Sequence, residues 1–155
     1  MEKQLGKILA EKNLTVACAE SCTGGLLTGR LTDTPGSSAY VEGSIVSYSN
    51  RIKNSVLRVK EDTLKKFGAV SEETAREMAT NVREIFKTGI GLSTTGIAGP
   101  GGGTPEKPVG LVYIGISDGK KCFVKKCNFS GTRSEIRNST VNEIISETIK
   151  FLNEN

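Results

Sequence analysis

The apolar positions along this chain change period several times, and each change marks an element. Between residues 2 and 12, charged residues alternate with Leu5, Ile8 and Leu9, the spacing of one helical face. LTVACAE (14–20) is instead a short apolar run with β-preferring residues, which predicts a buried strand. SCTGGLLTGRLTD (21–33) predicts a helix with a glycine-rich start, TPGSS (34–38) a turn, and YVEGSIVSYS (40–49) a second strand. NRIKNSVLRV and DTLKKFG predict two short helices, the second closed by Gly68. Ser71 is a candidate N-cap for a helix over 72–88. Ala75, Met78, Ala79, Val82, Ile85 and Phe86 share one face of it, and Gly89 ends it.

IGLSTT (90–95) predicts a third strand, which runs into the glycine-rich stretch GIAGPGGGTPEKP (96–108). VGLVYIGIS (109–117) and KCFVKKCNF (121–129) flank Asp118-Gly119, a strong hairpin signal. Thr132 and Glu135 form a T-x-x-E capping box for a last helix to about residue 152. Its apolar side is Ile136, Val141, Ile144, Ile145, Ile149 and Leu152. Helices between strands call for parallel pairings, and the hairpin adds an antiparallel one. The expected fold is α/β, a three-layer α/β/α sandwich with a mixed, mostly parallel sheet, built as one domain over 1–155.

The 155 residues are 36% hydrophobic and 25% charged, an ordinary globular balance. There is no run of 18 apolar residues, and the charged N-terminus MEKQLGKILAEKN has no signal-peptide core. A cytoplasmic location and no membrane partner are therefore expected. Cys18, Cys22, Cys122 and Cys127 form no C-x-x-C pair and are expected to stay reduced. The absence of histidine excludes Ser-His-Asp and Cys-His catalysis and any His-ligated metal. An enzyme built from this chain must take its base from Lys, Tyr, Asp or Glu. The net charge of +4 comes without a basic block, so nucleic acid is not an expected partner, and one anionic group on a small substrate fits better.

Four segments could carry chemistry. In AESCTGG (19–25) Ser21 sits where a strand gives way to a helix. There it can act as a nucleophile facing free backbone N–H groups, or merely cap the helix. Cys22 is the rival nucleophile, but no histidine exists to activate it. In SYSNRIKNS (47–55) Lys53 can serve as a base if burial lowers its pKa, with Tyr48 relaying or orienting; the alternative is a solvated surface lysine. TTGIAGPGGGTPEKPVG (94–110) follows a strand and has five glycines in the eight residues GIAGPGGG. It can cradle an anion with its backbone or be a flexible connection, and it is neither a Walker A loop nor a G-x-G-x-x-G helix start. In GTRSEIR (131–137), Arg133 and Arg137 stand four apart near a helix start, as a phosphate site or as an exposed pair.

In that order, AESCTGG, the G-S-I-V-S-Y-S-N…K segment, TGIAGPGGGTPEKPVG and GTRSEIR resemble the C-terminal domain family of the competence/damage-inducible protein CinA, over roughly residues 3–152. That family includes stand-alone nicotinamide-nucleotide amidohydrolases, so the resemblance implies deamidation of nicotinamide mononucleotide to nicotinate mononucleotide and ammonia. It implies Ser21 as nucleophile, with Tyr48 and Lys53 sharing the base and relay roles. Substrate contacts fall to Cys22, Thr23, Gly24 and Gly25, to Thr95, Gly96, Ile97, Ala98 and Gly99, and to Arg133 and Arg137. Backbone N–H groups of 22–25 or 96–99 would hold the oxyanion, and the glycine-rich loop and arginines the ribose and phosphate. No metal or cofactor is implied. Longer members carry a further N-terminal domain, and this chain is expected to be a stand-alone homo-oligomer, a dimer at the simplest. The alternative is a non-catalytic nucleotide-binding module linked to competence or DNA repair.

Overall fold

In the computed structural model, which describes residues 1–154, a five-stranded sheet carries helices on both faces. The elements run α1 (Glu2–Glu11), β1 (Val16–Glu20), α2 (Leu26–Thr32), a 3₁₀ turn (Ser37–Ala39), β2 (Val41–Val46), α3 (Asn50–Ser55), α4 (Glu61–Phe67) and α5 (Glu72–Phe86). They continue with β3 (Ile90–Gly96), β4 (Leu111–Ser117), β5 (Cys122–Asn128) and α6 (Arg133–Asn153). The strand order is β2-β1-β3-β4-β5. β1 pairs parallel with β2 and β3, whereas β3–β4 and β4–β5 are antiparallel. Only β4 therefore runs against the other strands, as the hairpin through Asp118-Gly119 requires. No helix among the described residues is long and apolar enough to cross a membrane.

β1 is buried along its whole length and serves both layers. Its Val16 and Cys18 join Leu5 and Leu9 of α1, Leu27 and Leu31 of α2, and the Ile136-to-Leu152 stripe of α6. Its Ala17 and Ala19 face Met78 and Val82 of α5 together with Leu57 and Val59. α5 lies directly on the sheet backbone, because a Cβ at Gly91 would stand 2.1 Å from the Ala79 carbonyl. Ser93 ties the same contact by donating to the Ala75 carbonyl at 2.7 Å.

Three helix ends differ from expectation: α3 stops at Ser55 rather than running through Val59, and the others are at α2 and α5. The segment after β1 does not enter a helix at Ser21 but makes a tight turn, and α2 begins at Leu26. The cap is Glu20, whose buried carboxylate accepts from the amides of Gly25, Leu27 and Thr28. A carboxylate here satisfies several of the otherwise unpaired first-turn N–H groups, which frees Ser21 from the capping role. α5 ends at Phe86 with Lys87 in the left-handed conformation, two residues short of the expected last helical residue, 88. The caps expected at Ser71 and Thr132 are present, each side chain accepting from the amide three residues on.

From β1 the chain crosses to β2 on one side and then to β3 on the other, so the carboxyl end of β1 is a topological switch point. In parallel α/β sheets such a point opens a crevice where ligands bind.

Candidate active site

A cavity of about 290 Å³ lies at that switch point. Ser21, Cys22, Tyr48, Asn50, Lys53, Ala69, Val70, Arg133 and the stretch from Thr95 to Gly99 with Gly101 and Gly102 line it. Its volume sits at the lower end of small-molecule sites, roughly 300–1,000 Å³.

Ser21 follows β1 directly, and its amide still donates to the Thr94 carbonyl of β3 at 3.0 Å. This extra rung fixes its backbone to the sheet. Lys53 reaches it from α3, a short helix started by Ser49, whose hydroxyl accepts from the Ile52 amide. The Lys53 ammonium nitrogen lies 3.0 Å from Ser21 Oγ and 2.8 Å from the Ser47 carbonyl oxygen. Only 2% of Lys53 is exposed. Burial lowers its pKa below the ordinary lysine value, and the smaller influence of Cys22 opposes that shift. Of the two readings of this lysine, the buried one is correct. The Ser47 hydroxyl beside it is buried with no partner among the described residues.

Cys22 also faces the cavity, but burial pushes its thiol pKa up to about 12, which keeps it protonated and a poor nucleophile.

Tyr48 stands at the rim, 62% exposed, and its hydroxyl accepts from Arg133 at 2.7 Å. Arg133 spends its other terminal nitrogen on the Gly99 carbonyl, also at 2.7 Å. Arg133 thus joins α6 to both Tyr48 and the glycine-rich loop.

Arg137 does not converge with it on one anion. It turns to the other side and donates to the carbonyls of Cys22 at 3.2 Å and Thr23 at 2.9 Å. Thr23, Gly24 and Gly25 do not line the cavity. The Thr23 hydroxyl is buried between Glu20 at 2.6 Å and Thr94 at 2.7 Å. The Gly24 amide closes the turn on the Ser21 carbonyl, and the Gly25 amide belongs to Glu20, so neither N–H is available to an oxyanion. The sequence expectation treated 22–25 as equivalent donors; the turn geometry separates them.

Thr95 donates to the Ala69 carbonyl at 2.7 Å and so holds the Ala69–Val70 wall against the strand end. The loop from Ile97 to Val109 is open at its tip, with Pro100 to Glu106 exposed. Its base is pinned by the Ile97 amide on the Leu111 carbonyl and the Gly110 amide on the Ile97 carbonyl. Lys107 ties the far side to the Phe67 carbonyl at 2.7 Å.

Three contributors escaped the sequence reading. Glu20 carried a signal, a charged residue closing an apolar strand, and Asn50 stood inside the quoted S-Y-S-N motif without being singled out, whereas the Ala69–Val70 wall carried none.

Comparison with known proteins places the chain in a family and agrees with its α/β fold. Residues 1–152 match the family described as the CinA C-terminal domain. A "putative competence-damage inducible protein" of Thermoanaerobacter pseudethanolicus is 51% identical over 152 residues, covering 98% of this chain and 37% of its own length. One of Caldanaerobacter subterraneus is 56% identical over 137 residues, 88% of this chain and 33% of the relative. The chain thus spans little more than a third of the curated relatives it matches. The crystal structure of competence/damage inducible protein CihA from Agrobacterium tumefaciens superposes with TM-score 0.92 at 39% identity, covering 98% of this chain and 94% of that one. A CinA superfamily protein from Enterobacter cloacae superposes with TM-score 0.94 at 31% identity, over 97% and 89%.

Proposed function

The chain belongs to the CinA C-terminal domain family, and from that membership and the Ser21–Lys53 contact we propose that it is a serine amidohydrolase acting on nicotinamide mononucleotide. The observation that carries this reading is the buried amine of Lys53, 3.0 Å from Ser21 Oγ, at the floor of an open cavity in a chain with no histidine.

A neutral Lys53 keeps an N–H on the Ser47 carbonyl and turns its lone pair to the Ser21 hydroxyl. Ser21 Oγ then attacks the carboxamide carbon, and its proton passes to Lys53 Nζ. The carbonyl electron pair becomes an oxyanion. As the pair returns, the C–N bond breaks and the nitrogen leaves as ammonia, taking the proton back from Lys53. Water attacks the acyl-serine carbon by the same route, giving the carboxylate and free Ser21. With Lys53 placed on Ser21 and Tyr48 on Arg133, the base role falls to the lysine. Tyr48 and Arg133 are left to receive the ribose phosphate at the rim, beside the glycine-rich loop.

The test is ammonia release from nicotinamide mononucleotide by the pure chain and by Ser21→Ala. Stoichiometric ammonia and nicotinate mononucleotide from the first, and none from the second, is the expected result. Tight nucleotide binding without ammonia would instead identify a non-catalytic binding module.

A further inference from the structure

Of the five residues 21–25, the amides of Cys22 and Thr23 are left without a protein acceptor among the described residues. Among side chains, Arg137 bears on the turn at two of its carbonyls. Each peptide group is planar and trans, so its N–H points opposite its C=O. Arg137 holds the Cys22 carbonyl, which aims the Thr23 amide away from α6. It also shares the Thr23 carbonyl with the Leu26 amide; that peptide carries the Gly24 amide, which binds the Ser21 carbonyl. Fixing the Ser21 carbonyl in turn sets the direction of the Cys22 amide. A guanidinium on these carbonyls also polarises the peptides and makes their N–H groups stronger donors.

We infer that Arg137 is a positioning residue, which through the Cys22 and Thr23 carbonyls holds the turn so that the Cys22 amide, the one of the two that belongs to a cavity-lining residue, stabilises negative charge next to Ser21. It touches no substrate, in contrast to the phosphate-binding role that its spacing from Arg133 suggests. The inference rests on Ser21 being the nucleophile proposed above.

The test compares wild type with Arg137→Lys, which keeps the charge but loses the fork reaching two carbonyls. Two readouts are needed. In deamidation of nicotinamide mononucleotide, kcat should fall about 10²-fold, the loss typical of one oxyanion donor, while KM stays within about threefold. In a titration with 3-pyridineboronic acid, Ser21 Oγ bonds to the trigonal boron and its proton passes to Lys53, leaving a tetrahedral boronate anion beside the Cys22 amide. Affinity for this probe, read from the four-coordinate ¹¹B signal, should fall by a comparable factor. A raised KM at unchanged kcat, or undiminished boronate affinity, overturns the inference. Should Arg137→Lys fail to fold, the same titration on Arg137→Gln, which keeps a single donor nitrogen, decides. A wild-type chain that binds the boronate more tightly than the variant, yet releases no ammonia from the mononucleotide, upholds Arg137 and removes only the substrate assignment. A wild-type chain that forms no adduct overturns both.

Discussion

The turn at Ser21 and the glycine-rich loop face each other across one cavity, and they are held in opposite ways. The turn is clamped from within by the Glu20 carboxylate, from behind by the Arg137 guanidinium and from the sheet by the Thr94 carbonyl. The loop is fixed at its base and by single bonds from Arg133 and Lys107, and its tip is exposed. Charge development at a reacting atom demands donors that need no reorganisation, which burial and multiple bonds supply. Recognition of a polar substrate tail tolerates, and gains from, groups that can adjust. Under the proposed function, the contrast divides the cavity into a multiply bonded floor for the chemistry and an exposed rim for binding.

The sharpest way to break that division is Ser21→Ala. It should reduce deamidation by at least about 10⁴-fold, comparable to loss of a serine nucleophile elsewhere, with the fold intact by circular dichroism. Activity that survives in Ser21→Ala but disappears in Cys22→Ala would move the chemistry to the thiol.

Lys53→Met comes next, with turnover down at least about 10²-fold. In the wild type kcat/KM should climb with pH to a midpoint below the ordinary lysine value of 10.5, because the neutral amine is the active form and burial lowers its pKa. Stability follows with a definite sign. Between the lowered folded value and the unfolded one, the unfolded chain binds more protons, so wild-type stability rises with pH in that window, and the full penalty for the buried ammonium applies below it. The melting-temperature difference between Lys53→Met and wild type should therefore shrink as pH rises toward 10.5. A difference independent of pH would mean that the amine is not the perturbed group.

Glu20→Gln probes the clamp itself. The carboxylate accepts from the hydroxyls of Thr23 and Thr28 as well as three amides, and a Gln nitrogen would face donors instead. The loss should be ~2–3 kcal/mol, read by urea denaturation, with the midpoint moving and the slope unchanged.

At the rim the effects should be smaller and confined to binding. Arg133→Ala should erode the preference for the mononucleotide over nicotinamide riboside about 10-fold in kcat/KM, the low end for a charge-assisted bond, with kcat nearly constant. An equal loss on both substrates would place Arg133 in the chemical half. Gly101→Ala should change kcat/KM less than about twofold, since a Cβ there meets nothing within 4 Å and single surface changes are usually near neutral. A large effect would show the loop tip to be as tightly held as the turn.

Most of the architecture was legible along the chain because its signals are local. Alternation or helical spacing of apolar residues, Asp118-Gly119, Ser71 and Thr132 act within a few residues of themselves, and the elements they predict are present. Ser21, Tyr48, Lys53 and Arg133 were legible as residue types in segments at strand ends and helix starts, and all four line the cavity. The sequence by itself therefore determined the layered α/β fold, the absence of a histidine base and the candidates to replace it. Tertiary structure alone decided which candidates meet. Lys53 and Ser21 stand 32 residues apart, and their contact exists because parallel pairing of β1 with β2 places both strand ends at one crevice. Arg133 and Arg137 look equivalent on one helix face, yet one opens onto the cavity and the other grips the turn behind it. That distinction depends on how the start of α6 meets the turn that follows β1, a long-range packing outcome that a spacing of four residues cannot encode.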